Sequence, residues 1–259
     1  SPGGGTRRTR SLLLRLLACS FTRFGVWDCG DRKSSIGPLT AMTAVLALDT
    51  ATNACSAALW VDGDVRASRS EPMVRGHAER LVPMIQEIAE AADRAVKSVD
   101  LIAVTVGPGA FTGLRVGLAA ARGFALCAGA PCLGLTTLEV IAAGVGPLAG
   151  QLVVGIDSKR TDVYVQIFNP DGQPVSEPAA ILPESVSCLV GGCGADATKV
   201  SVAGDAAPML EECLSGGGLT VTAIDAPYPD ATVLARLAAA RWVPGDPIKR
   251  PAPLYLRPP

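Results

Sequence analysis

Apolar and polar positions along the chain follow two rhythms. Ala44-Val45-Leu46-Ala47-Leu48 is an uninterrupted apolar run ending on Asp49-Thr50, the pattern of a strand buried on both faces. Residues 55–61 form a second such run, Asp62-Gly63 predicts a tight hairpin turn, and residues 64–69 return as a third strand. The period then changes: His77, Leu81, Met84, Ile85, Ile88 and Ala92 fall on one side of an amphipathic helix over 76–93. Pro83 lies inside that pattern, so the helix is expected to start late or to kink there. Residues 101–106 read as another buried strand, broken by Gly107-Pro108-Gly109. After Phe111-Thr112 the chain continues as a helix in which Gly113, Gly117, Ala121, Ala125 and Gly129 recur at every fourth position. A strand over 132–135 follows, and Thr136 with Glu139 three residues on predicts a capped short helix.

A Gly/Pro-rich seam over 144–150 divides this half from a second with similar order. Residues 152–156 are apolar and end in Asp157, 162–168 alternate, Asn169-Pro170-Asp171-Gly172 turns the chain, and 173–180 runs back. Strand-to-Asp, then hairpin strands, therefore occurs at 44–69 and again at 152–180, a weak internal repeat. A short helix from Pro183-Glu184, a strand over 200–202, a helix over 208–213 and a helix over 231–242 begun by Pro229-Asp230 complete the pattern. The tail, 244–259, is proline-rich and extended. The expected division is 1–41, 42–146 and 147–259.

Composition narrows the class. Of 259 residues, 49% are hydrophobic, 18% charged and only 4% aromatic, which describes an α/β globular protein with a core of small aliphatic side chains. Residues 1–41 hold 7 of the 23 Lys+Arg and 2 of the 24 acidic residues, which leaves 16 against 22 and a net charge of −6 for the rest. An acidic body argues against direct grip on a nucleic-acid backbone. The 8 cysteines include no CxxC pair and none at zinc spacing from a histidine, so they read as reduced thiols of a cytoplasmic protein. No 18-residue window is uninterruptedly apolar, and no membrane span is expected. Arg7, Arg8, Arg10 and Arg15 around Leu12-Leu13-Leu14 set the first 41 residues apart. They are expected to be disordered, either as an over-extended reading frame upstream of Met42 or as a transit peptide.

The candidate chemistry sits where strands end. A strand, a glycine turn and a helix N-terminus favour an anion, which makes Asp49, Thr50, Gly107, Gly109, Thr112, Gly113 and Arg115 candidate nucleotide or phosphate residues. Alternatively, Asp49 caps the turn towards Asn53, and the small-residue stripe admits another helix at close range. His77, the only histidine, is either a metal ligand or general base, or a capping and packing residue.

Val45-Leu46-Ala47-Leu48-Asp49-Thr50-Ala51-Thr52, His77-Ala78-Glu79-Arg80-Leu81, the Gly107-Pro108-Gly109-Ala110-Phe111-Thr112-Gly113-Leu114-Arg115-Val116-Gly117 block and Pro253-Leu254-Tyr255-Leu256-Arg257 together resemble the bacterial TsaB (YeaZ) family, over residues 43–257. The resemblance implies an α/β actin-like ATPase (ASKHA) fold: two ribonuclease-H-like halves with mixed sheets flanked by helices. It implies a scaffold and activating subunit for the catalytic paralogue TsaD, which transfers threonylcarbamoyl to N6 of the adenosine beside the tRNA anticodon. The ATPase subunit TsaE and, through the complex, tRNA would be further partners. The paralogue holds a metal through two histidines at places that here are Thr137 and Ile141, so neither catalysis nor a cofactor of its own is expected of this chain; ATP or ADP and a metal would belong to the assembled complex. The family's subunits meet through helices of the N-terminal halves, which makes His77, Leu81, Met84, Ile85, Ile88, Leu114, Gly117, Leu118, Ala121, Phe124 and Ala125 the expected interface. The small-residue stripe then serves as a docking groove. The competing expectations are that both helices simply cover their own sheet, that the Asp49 and 107–113 cleft hydrolyses nucleotide, or that the chain acts as a homodimeric binding protein.

Overall fold

The computed structural model describes residues 43–192, 199–215, 219–245 and 247–257. The 1–41 extension and the expectation of disorder attached to it lie outside the described residues. The first sheet is built from β1 (Ala44–Thr52), β2 (Ala54–Val61), β3 (Asp64–Pro72), β4 (Leu101–Thr105) and β5 (Cys132–Leu135), in the order β3-β2-β1-β4-β5. β1, β2 and β3 form an antiparallel meander, whereas β4 and β5 extend β1 in parallel. The second sheet, from β6 (Gln151–Asp157), β7 (Val163–Phe168), β8 (Ala179–Ile181), β9 (Lys199–Ala203) and β10 (Thr220–Ala223), has the order β10-β9-β6-β7-β8. Read from β8, this is the same topology, with β6 in the place of β1. The repeat of strand-to-Asp and hairpin is thus a repeat of whole sheets, the two-halved mixed-sheet arrangement that the resemblance implies.

β1 is buried along its entire length because it is covered on both faces. Leu46 and Leu48 point to the side carrying α1 (His77–Ala91) and α2 (Phe111–Ala128), and Val45 and Ala47 point to the other. That other face is covered by α6 (Ala231–Arg241), through Val233, Leu234, Ala235 and Ala238. α3 (Thr137–Val145) does the reverse: Leu138, Ile141 and Ala142 pack with Leu152, Val154, Ile156 and Phe168 of the second sheet. α4 (Val186–Gly192) and α5 (Ala207–Ser215) cover that sheet's opposite face. The halves therefore exchange a helix each. A division at 146/147 in sequence does not follow the packing, and residues 42–259 form one compact unit.

Local departures have local causes. α1 starts at His77 and runs through Pro83, which faces solvent; Glu79, whose carbonyl loses its donor to that proline, is also exposed. The expected strand over 173–180 shortens to Ala179–Ile181 because Pro174 and Pro178 cannot donate to a ladder; only a bridge from Phe168 to Pro174 precedes it. β10, Thr-Val-Thr-Ala at a sheet edge, carries too little apolar pattern to be read from sequence.

Candidate functional site

Sheet topology brings the ends of β1, β4 and β5, the glycine turn and the start of α2 to one place. Asp49 and Thr50 sit there, but both side chains are turned inward and are 0% and 1% exposed. Thr105 Oγ1 donates to Asp49 Oδ1 at 2.5 Å, and the Ala51 N–H donates to the same oxygen at 3.1 Å. Asp49 Oδ2 has no partner among the described residues, nor has the hydroxyl of Ser56, its cross-strand neighbour. Burial drives the Asp49 carboxyl up to about 7, against the pull of the Thr105 and backbone hydrogen bonds. Thr50 donates to the Gly113 carbonyl at 2.8 Å.

The glycine motif is shaped to receive β1. Ala110 N–H donates to the Ala51 carbonyl at 2.7 Å. A Cβ on Gly109 would overlap the Ala51 carbonyl, one on Gly113 would overlap the Thr50 carbonyl, and one on Gly117 would lie 2.5 Å from Thr50 Oγ1. Gly107 has φ +105, and its peptide bond to Pro108 is cis. The small-residue stripe at 113, 117 and 121 thus brings α2 onto its own strand, which corrects its reading as a groove for a partner helix. It also corrects the phosphate reading of Asp49, Thr50, Gly109 and Gly113: the space between turn and strand is filled by backbone. Thr112 and Arg115 remain exposed.

The expected interface residues are corrected in the same way. Leu81, Met84, Ile85 and Ile88 of α1 are 0–1% exposed and join the core against the first sheet, as do Leu118 and Ala121; Leu114 is 1% exposed. Gly117 is buried against Thr50, and Phe124 and Ala125 are half-buried against the same core. His77 Nε2 lies 3.1 Å from the Thr52 carbonyl, which fixes that nitrogen as a donor and ties α1 to the end of β1. This contact is the one the packing alternative for His77 expects. Thr137 and Ile141 are buried at 0% and 1%. Among the described residues, no three His, Cys, Asp or Glu side chains converge to hold a metal ion.

What the helices leave outside is different. α2 exposes Arg115, Ala119, Gly123, Leu126 and Cys127, and a Cβ on Gly123 would meet open space. Leu126 is 86% exposed, and Val82 on α1 is 43% exposed. α2 is also the one helix among the described residues that is long and apolar enough to cross a membrane by length and composition, with a third of its window buried. It is apolar on both sides, and only one side is needed by the sheet.

The tail completes the site. Leu254 N–H donates to the Val106 carbonyl at 2.7 Å, Tyr255 packs on Phe111 with ring centroids 5.6 Å apart, and Arg115 lies over Phe111 at 3.7 Å. Arg257 Nε then reaches Asp162 Oδ2 at 2.8 Å in the second half. The tail so forms one wall of a hollow of about 690 Å³, with Leu254 and Leu256 facing Thr136 and Glu139 on one side and Gln166 and Ser176 on the other. Sequence reasoning placed these tail residues in a motif but not on a partner; an aromatic–arginine pair at the end of an extended segment was the available signal. In the second half, Asp205 Oδ1 accepts from the Asp157 N–H at 2.8 Å, and Lys159 Nζ lies 2.9 Å from Asp157 and 3.8 Å from Asp205. Burial raises the Asp205 carboxyl; for Asp157 burial is outweighed by the Lys159 hydrogen bond and charge, which hold it low.

Comparison with known proteins follows this geometry. The family model of TsaD, tRNA N6-adenosine threonylcarbamoyltransferase, matches residues 70–226. The tRNA threonylcarbamoyladenosine biosynthesis protein TsaB of Escherichia coli is 39% identical over 129 residues, 49% of this chain and 55% of that protein. The protein of the same name from Haemophilus influenzae is 38% identical over 46% of this chain and 51% of its own length. The chain thus spans about half the length of the curated relatives it matches. A crystal structure from Pseudomonas aeruginosa, described as an uncharacterized protein with similarity to peptidase YEAZ, superposes with a TM-score of 0.71 at 32% identity, over 83% of this chain and 100% of that one.

Proposed function

The chain belongs to the TsaB (YeaZ) family, and from that membership we propose that it serves threonylcarbamoyladenosine biosynthesis on tRNA as a scaffold that pairs with and activates the catalytic paralogue TsaD. The observation that carries the pairing is the surplus apolar surface on α1 and α2. Leu126, Gly123, Ala119 and Val82 face outward, whereas the inward stripe is already used by the sheet. Exposed small residues allow a partner helix to approach, and Leu126 supplies a large anchor at the rim. A catalytic role finds no support in the same geometry. The places of the paralogue's metal ligands hold a buried threonine and isoleucine, and Asp49, which a nucleotide hydrolase would aim at a phosphate, is sealed under Thr105.

The test is co-expression with TsaD. The wild type should co-purify at one-to-one stoichiometry. Leu126→Asp and Val82→Asp should lose the partner while keeping their melting curves, because each places a charge only in the assembled seam. Leu81→Asp, pointing inward at 1% exposure, should unfold the chain instead. Retained pairing by both outward variants would overturn the reading.

A further inference from the structure

We propose that the hollow between the end of α6, the edge strand β5 and the tail is a binding site for the phosphate backbone of RNA, with Trp242 as a stacking face. The hollow measures about 480 Å³, and Arg241, Trp242, Lys249 and Arg250 line it together with Leu133 and Gly134 of β5 and the prolines Pro247 and Pro251 of the tail. Its cations arrive from two separate elements. Arg241 ends α6, and Lys249 and Arg250 lie on the tail, which α2 holds in place: Arg122 Nη2 donates to the Pro251 carbonyl at 2.6 Å.

Adjacency of cations to an aromatic ring in one concave place is what marks this hollow. Some cations of the body sit beside acids, Arg80 with Glu71 and Glu87, Lys159 with Asp157 and Arg257 with Asp162, while others, such as Arg75 and Lys97, are exposed singly on the surface. At the hollow only Arg241 has such a partner, Glu139 at 3.1 Å. Lys249 and Arg250 are exposed and in no ion pair among the described residues, and none of the described residues lining the hollow is acidic. Among the described residues the two cations therefore stand side by side without an acidic partner, in a body that carries net negative charge, and a polyanion would satisfy both.

Trp242 decides between polyanions. It is half-buried against the Val233–Leu237 side of the core and lines the same hollow as the cations. An acidic peptide has no use for a flat aromatic wall, whereas a nucleotide chain offers a base to it and phosphates to the neighbouring cations. The inference rests on the proposed function only for RNA being the polyanion encountered, and it does not depend on pairing with TsaD. It qualifies the expectation from net charge: attraction arises at short range in one hollow, not from the field of the whole body.

The test is fluorescence anisotropy of a labelled tRNA transcript titrated with the full chain at several salt concentrations. Each phosphate-neutralising cation contributes roughly 0.7–0.9 to the slope of log K against log salt. Lys249→Gln/Arg250→Gln should therefore weaken binding about tenfold at low salt and flatten the slope by about 1.5. The arginines of residues 1–41 contribute equally to both proteins and drop out of the difference. Arg75→Gln/Lys97→Gln, exposed cations elsewhere, should change neither quantity. Unchanged affinity and slope in the double variant would overturn the inference. So would equal competition by poly-glutamate, which would make the occupant an acidic peptide, or by inorganic phosphate or ATP at matched charge, which would make it a free phosphate. Co-purification with TsaD is scored separately, so unchanged RNA binding by the double variant with intact pairing refutes this site alone, whereas loss of pairing by the wild type bears on the proposed function alone.

Discussion

Asp49→Asn separates the buried carboxyl's role in the fold from any role in ligand binding. An unfolded aspartate ionises near 3.8, whereas Asp49 in the fold ionises at about 7, chiefly because it is fully buried. Between those values the folded chain holds one proton more than the unfolded chain, so stability falls as pH rises from about 4 to about 7 and is flat above. At about 1.4 kcal/mol per pH unit, the cost is about 2 kcal/mol at pH 5 and about 4 kcal/mol at pH 8. Asparagine keeps the shape and the oxygen that accepts from Thr105 and Ala51, but does not titrate. Its amide also offers a donor where Asp49 Oδ2 now has no partner and Ser56 stands opposite. The advantage of Asp49→Asn over wild type should therefore grow by about 2 kcal/mol between pH 5 and pH 8. Urea unfolding followed by tryptophan fluorescence at the two pH values measures it, and other titrating groups cancel in the difference. An advantage independent of pH, or a variant less stable than wild type at pH 8, would refute the desolvation argument and return Asp49 to the phosphate-binding candidates.

Other substitutions test the packing around the site. Gly117→Leu should unfold the first half rather than merely block a partner, because even a Cβ there lies 2.5 Å from Thr50 Oγ1; a circular dichroism melt should show loss of the native transition. Arg257→Ala leaves the buried Asp162 carboxylate without its cation and should cost about 2 kcal/mol, with much of the loss recovered in Arg257→Ala/Asp162→Asn. Tyr255→Ala should leave global stability within about 1 kcal/mol of wild type but speed amide exchange in the 107–112 turn, because Tyr255 is the ring packed on Phe111. Thr136→Ala removes the side-chain half of the capping box at α3, leaving the backbone N–H of residue 136 on Glu139, and should cost about 1 kcal/mol by thermal melt, whereas Thr136→Ser should not.

Which parts of this molecule were legible in its sequence follows from the range of the signals. Val45 to Leu48, Asp62-Gly63, the Thr136–Glu139 capping box and the stripe of α1 are set by neighbours within a few residues, and each was found where the pattern put it. Destination is another matter. Leu81, Met84, Ile85 and Ile88 announce a buried face, but periodicity does not say whether the covering surface belongs to the same chain. It does here, so the interface had to be sought one face further round, at Val82. α2 hid its outward face for a different reason: being apolar all round, it offers no contrast, and the evenly spaced glycines drew attention to the side that meets Thr50. The exchange of α3 and α6 between halves depends on pairs such as Val45 with Leu234, nearly two hundred residues apart in sequence, which no local pattern encodes.

Net charge is a coarse guide to partners for a related reason. A net charge averages over carboxylates that are already occupied. Glu71 and Glu87 are spent on Arg80, Asp157 on Lys159 and Asp162 on Arg257, so their negative charge is largely cancelled at short range. What a partner meets is the residue of that pairing. Around α6 and the tail this residue is Lys249 and Arg250 beside Trp242; around α1 and α2 it is apolar, with Leu126 and Val82 at its rim. An acidic protein with one cationic hollow and one bare helical face is suited to hold a protein partner by apolar burial and a polyanion by local charge, on surfaces that do not compete. Salt should therefore weaken RNA binding steeply and leave pairing with TsaD nearly unchanged; equal sensitivity of the two would mean that they share a surface.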